Sequence, residues 1–315
     1  MDAEKGEGRD LAQRYQVKGY PTFILADARG EPFDRWMGYR RARFLKTLPV
    51  ALADPTPIEA KRRRFAASPE ARDAAALARC ESSLTDYAGA MHYYRKAQEL
   101  GWSAGADYSL ELFEASYRAM GMKDGPTFEE VGAAADAVMA APRASPADLL
   151  GVALLMSGAA RRQERPELAA PYLSAAIGRC EGAADSTMQQ DLAEVRALHA
   201  LYVEKDPAKA VAVKKESSPK GWTEDANQLN GFAWWCFENR VALEEARWFA
   251  ERGAELAAPG KQRGQLLDTL AEIENALGDP ARAAETMRRA MTENPQDKYY
   301  PKQLDRFEKL AAQKN

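Results

Sequence analysis

The sequence predicts a mostly α protein in which a partial α/β unit at the N-terminus precedes an irregular α-solenoid. Three observations predict it. Gly19-Tyr20-Pro21-Thr22-Phe23-Ile24-Leu25 reads as a turn feeding a short apolar strand. Beyond about Ser68, Ala, Leu, Glu and Arg dominate and strand-like alternation stops. Finally, alanines 90, 169, 210, 246 and 283 recur at intervals of 79, 41, 36 and 37 residues, the first interval being about two of the others.

The elements follow in order. An amphipathic helix carrying Leu11, Ala12, Tyr15 and Val17 leads into the Gly19–Pro21 turn and a strand over Phe23, Ile24 and Leu25. Asp27-Ala28-Arg29-Gly30 turns the chain into a second short strand ending near Gly38, and a helix with Phe44 and Leu48 closes the unit at residue 48. Pro49 to Pro57 holds three prolines in nine residues, which break helices and stiffen the chain. Residues 49–67 therefore read as a Pro-rich, basic linker, with Lys61 to Phe65 beginning a first helix of the domain at 68–315.

The stretch "LAQRYQVKGYPTFILADARGEPFDRWMGYRRARFLKTL", Leu11 to Leu48, resembles the C-terminal half of a thioredoxin fold: its third helix, proline loop, closing hairpin and last helix. The likeness covers about 48 of 315 residues. It implies that Pro21 follows a cis peptide bond and that Tyr20, Pro21 and Thr22 line a substrate groove. The family's chemistry needs a low-pKa thiolate with a second thiol to resolve the mixed disulfide. Here Cys80, Cys180 and Cys236 stand 100 and 56 residues apart, and no Cys-x-x-Cys occurs. Met1-Asp2-Ala3 resembles the tail of a family strand, so the expectation is that the true start lies upstream or that the gene is truncated.

The second part resembles tetratricopeptide repeats, clearest in Gly264 to Pro295, "GQLLDTLAEIENALGDPARAAETMRRAMTENP". Leu267, Leu270 and Ala271 fill first-helix packing positions, Gly278-Asp279-Pro280 make the turn, and Ala283, Met287 and Ala290 pack the second helix. Glu274 departs, standing where an aromatic is usual. Weaker copies surround Ala90, Ala169, Ala210 and Ala246, with a degenerate unit expected over Thr127 to Ala141. About six hairpins are expected, each burying its apolar side by stacking on neighbours.

Residues 222–248 hold Trp222, Trp234, Trp235 and Trp248, four of six tryptophans. Adjacent on a helix, Trp234 and Trp235 diverge by about 100°, so one either lines a partner groove as an anchor or both fill the core. Asn230 reads as an inner-face polar contact or a cap. "LNGFAWW" followed by "LLDTLAEIENALGD" resembles terminal repeats of bacterial proteins that fuse thioredoxin and helical-repeat domains, which makes the exposure of Asp268 and Thr269 informative. Trp234, Trp235 and Asn230 are thus the candidate partner-binding residues.

Charge is uneven: residues 1–64 carry 14 Lys+Arg against 9 Asp+Glu, and the remainder 30 against 38. The basic cluster of Arg40, Arg41, Arg43 and Lys61 to Arg64 lacks interleaved aromatics, so it reads as a solvated face, and no nucleic-acid partner is expected. With 46% hydrophobic and 29% charged residues the chain reads as soluble and globular, and no apolar run reaches membrane-span length. Two distant histidines, His92 and His199, assemble neither a metal site nor a triad. No cofactor, metal or catalytic constellation is expected. Read as it stands the chain is cytoplasmic; an upstream signal peptide would make it periplasmic. Three functions fit: a scaffold holding a protein or peptide partner, a thioredoxin-family thiol–disulfide oxidoreductase whose redox half is missing, and a polyanion adaptor acting through residues 40–64. The first is chosen.

Overall fold

The computed structural model describes residues 5–101, 107–182 and 188–314. Met1-Asp2-Ala3, singled out above, lies outside the described residues. The chain divides into two compact units, Met1–Leu168 and Ala169–Asn315.

The first unit begins with helix α1 (Gly6–Arg14), strands β1 (Thr22–Ala26) and β2 (Pro32–Met37), and helix α2 (Arg41–Leu52). The strands pair antiparallel, Thr22 opposite Met37 through Leu25 opposite Asp34, with an irregularity before Ala26. This register puts Phe23 opposite Trp36, and their rings stack at 5.4 Å. Phe44 of α2 closes the cluster 5.1 Å from Phe23 and 6.0 Å from Trp36. Among the described residues the sheet has these two strands only, which falls short of a complete thioredoxin fold. The Tyr20–Pro21 peptide bond is cis.

An isolated two-stranded hairpin is marginal in water, and here helices cover it. After α3 (Ile58–Ala67), helix α4 (Ala71–Ser83) packs on β2. Asp34 of β2, almost fully buried, accepts from Arg79 Nε at 3.0 Å and Nη2 at 2.5 Å. Lys61 of α3, also buried, donates to the carbonyls of Phe33 at 2.6 Å and Asp54 at 2.9 Å. Phe23, Ile24 and Leu25 of β1 stay half-buried, so the helices cover β2 rather than β1.

The stretch 49–67, expected to be a linker, holds the end of α2, with Pro49 inside it, and all of α3. Two of the basic residues there are ion-paired, while Arg63 stays exposed. Arg62 pairs with Glu81 at 2.7 Å, and Arg64 with Asp54 and Asp73, both at 2.5 Å.

The rest of the unit is α5 (Tyr87–Gly101), α6 (Ser109–Ala119), α7 (Phe128–Ala140) and α8 (Pro146–Arg162), each packed on the one before. Thr127 and Ser145 cap α7 and α8, each in a reciprocal capping box with an acid three residues on. Gly125 is required in the turn before α7: a Cβ there would stand 2.2 Å from the Ala119 carbonyl oxygen.

The second unit contains α9 (Ala170–Cys180), α10 (Gln189–Tyr202), α11 (Pro207–Glu216), α12 (Ala226–Asn239), α13 (Leu243–Leu256), α14 (Lys261–Ala276), α15 (Pro280–Glu293) and α16 (Tyr300–Lys314). The pairs α10–α11, α12–α13 and α14–α15 are packed hairpins. Asp206 and Asp279 each cap a helix whose first residue is proline, where the missing N–H has no partner to lose. Gly278 takes φ +93 to end α14. Ala271 and Ala283 are fully buried, so their small side chains allow the close approach of α14 and α15. Glu274 is buried too, satisfied in part by Arg282 Nε at 2.7 Å. Among the described residues no helix is long and apolar enough to cross a membrane.

Candidate functional site

Helix α12 starts after Asp225, whose carboxylate accepts from the backbone N–H groups of Asn227 at 2.8 Å and Gln228 at 3.0 Å. Asn230 therefore lies more than a turn inside the helix, and the cap reading is corrected. The two tryptophans part as the 100° step requires. Trp235 is 6% exposed; its Nε1 donates to Glu194 of α10 at 2.6 Å, and Lys214 of α11 sits 5.6 Å over its ring. It is a wedge between helices. Trp234 is 37% exposed and leans on Phe237 one turn on, ring centres 5.1 Å apart.

Helical spacing aligns Asn227, Asn230 and Trp234 on one side of α12. Asn227 accepts from Gln262 Nε2 of α14 at 3.1 Å, which registers the two helices. From Gln262 the same side of α14 runs through Gln265, Asp268 and Glu272. Glu272 is paired with Arg306 of α16, and Gln303 lies one turn before Arg306. Three helices thus contribute to one polar face carrying one exposed indole.

Three oxygens on this face, Asn230 Oδ1, Asp268 Oδ1 and Gln303 Oε1, are shut off from solvent and accept no hydrogen bond. Burial, reinforced by the charge of Glu272, pushes the Asp268 carboxyl up to about 7, against the pull of Arg306. Thr269, its neighbour, is buried and donates back to the Gln265 carbonyl at 3.3 Å. Asp268 is therefore the member of that pair that faces outward.

Sequence reasoning passed over two residues. Gln303 had no signal, since polar residues on a last helix are ordinary. Trp248, at 57% the most exposed of the described tryptophans, was counted in the aromatic cluster without being singled out. It meets Phe249 edge-on at 4.9 Å, while Trp222 lies against Phe232 and Phe249.

In the first unit, Tyr20, Pro21 and Thr22 border an apolar cleft of about 610 Å³ whose floor includes Leu11, Tyr15 and Ile24. Tyr20 is 61% exposed, and Thr22 Oγ1 donates to the Gly19 carbonyl at 2.6 Å. No thiol lies in its wall. All three cysteines are buried and unbridged, and burial pushes the Cys80 thiol up to about 11 and that of Cys236 to about 12. Neither is the accessible thiolate that disulfide exchange requires.

The sequence matches no protein-family model, and no curated protein matches it. Among solved structures, the chain is similar to a tetratricopeptide repeat protein from Parabacteroides merdae, at 13% identity and a TM-score of 0.47, over 84% of this chain and 95% of that one. It is also similar to the TPR2AB-domain:pHSP90 complex of yeast Sti1, at 16% identity and a TM-score of 0.30, over 86% of this chain and 95% of that one.

Proposed function

We propose that this chain is a protein-interaction scaffold of tetratricopeptide-like helical repeats carrying a thioredoxin-like remnant. On this reading it holds a protein or peptide segment along the face of α12, α14 and α16. The observation that supports it most is the set of three withheld acceptors, Asn230, Asp268 and Gln303, beside the exposed Trp234. An extended peptide supplies backbone N–H donors at regular intervals, and an amphipathic indole is a good anchor beside them. Panning the full chain against a random peptide library tests the proposal. The expected result is enriched sequences whose affinity falls at least tenfold in Trp234→Ala and in Asn230→Ala, and stays unchanged in Trp248→Ala. No enrichment, or equal affinity in all variants, overturns it.

A second reading is a thioredoxin-family thiol–disulfide oxidoreductase whose Cys-x-x-Cys lies upstream of Met1. The order α1–β1–β2–α2 favours it. An upstream reading frame without paired cysteine codons removes it.

A further inference from the structure

A cavity of about 280 Å³ lies inside the first unit, between the end of β2, helix α2 and helices α4 to α6. Its wall carries five cationic side chains, Arg40, Arg43, Lys46, Arg79 and Arg118, and two carboxylates, Glu111 and Glu114. Three of the cations have partners. Arg79 is held by Asp34, Arg43 by Glu114 at 2.8 Å and Glu111 at 4.0 Å, and Arg40 by Glu114 and by Asp148 at 3.2 Å. Among the described residues Lys46 and Arg118 form no ion pair, and both are exposed enough to be reached. Counting every carboxylate that touches a wall cation, the cavity keeps an excess of positive charge. Trp36 and Val50 add apolar surface, and the phenol of the buried Tyr94 reaches the cavity wall.

We infer that this cavity binds a small organic oxyanion, a carboxylate or phosphate group on an apolar body, with Lys46 and Arg118 supplying the charge-assisted contacts. Paired arginines fix the wall, since each is already oriented by a carboxylate. The two unpaired cations are free to close on an incoming anion, and both are strong partners for carboxylate or phosphate. The apolar surface of Trp36 and Val50 sets the requirement for a body beyond the bare anion. A cation of the same size would meet the excess charge unfavourably.

Methionine-methyl NMR on the full chain tests this, because Met37 lines the cavity and the other methionines among the described residues do not. The probes are phenyl phosphate, benzoate, inorganic phosphate and benzylammonium. Saturable shifts at Met37 with phenyl phosphate or benzoate are expected, at least tenfold weaker with inorganic phosphate and absent with benzylammonium. Whichever aromatic anion binds more tightly identifies the preferred head group. In Lys46→Ala/Arg118→Ala, which removes no ion pair, the affinity falls at least tenfold while the Met37 signal of the free protein keeps its position. Shifts equal for benzylammonium, shifts at other methionines without Met37, or unchanged affinity in the double variant each overturn the proposal.

Discussion

Asp268→Asn separates the cost of the buried carboxylate from the rest of unit 2. Moving a carboxyl from its ordinary 3.8 to about 7 corresponds to about 4 kcal/mol. The side chain keeps part of its surface in water, which brings the working figure to about 2 kcal/mol. The direction follows from linkage. The folded-state value is raised, so between pH 4 and 7 the folded chain holds a proton that the unfolded chain has lost. Below about pH 4 both states are protonated and Asp268 costs nothing. As pH rises toward 7 the penalty grows, and above 7 it is complete.

Asparagine keeps the shape and cannot ionise. The substitution is therefore expected to leave stability nearly unchanged at pH 4.5 and to raise it by about 2 kcal/mol at pH 8. For a unit of this size that is about 6 °C in Tm. Thermal melts of both proteins at the two pH values, followed by near-UV circular dichroism, measure it. A carbon-13 titration of the Asp268 carboxyl reads the same quantity directly. An equal effect of the substitution at both pH values, or a carboxyl titrating near 4, refutes the reasoning.

Three further outcomes are expected. Asp34→Ala leaves the Arg79 guanidinium buried without its carboxylate and should cost about 3–5 kcal/mol, read by urea unfolding of the full chain. Trp235→Ala removes a wedge bonded to Glu194 and should cost about 3–5 kcal/mol, whereas Trp234→Ala should stay within about 0.5 kcal/mol by the same assay. Gly125→Ala forces a Cβ against the Ala119 carbonyl and should cost about 1–3 kcal/mol, with the loss visible as faster amide exchange at the start of α7.

What the sequence disclosed was local. Gly278-Asp279-Pro280 marked a turn between helices, and there Asp279 caps a helix that begins at proline, as Asp206 does before Pro207. Ala271 and Ala283 marked a close helix pair because only small side chains fit there. The divergence of Trp234 from Trp235 followed from helical geometry alone. Pro49 misled, because a proline in a basic stretch reads as a break, and here α2 continues through it. What stayed hidden depended on long separation. Asp34 finds Arg79 45 positions away, and Lys61 reaches back 28 positions to Phe33, so neither burial was legible from neighbours. The cationic cavity was hidden for the same reason, its wall charges coming from α2 with the Arg40 before it, α4 and α6.

The polar face of unit 2 combines both cases. Asn230, Asp268 and Gln303 are unremarkable letters in three separate helices, and only the stacking of α12, α14 and α16 makes them one surface. Each sealed acceptor without a donor costs about 1–3 kcal/mol, in a unit whose buried alanines and leucines are otherwise closely fitted. Replacing all three with apolar side chains should therefore stabilise the fold. A surface that stays less stable than it need be is unfavourable for packing and favourable for binding, because a donor from outside recovers what the fold leaves unsatisfied. On the proposed reading the exposed Trp234 beside it would fix where such a donor is held, while Trp235, one residue on, is bonded to Glu194 and packs α12 against α10.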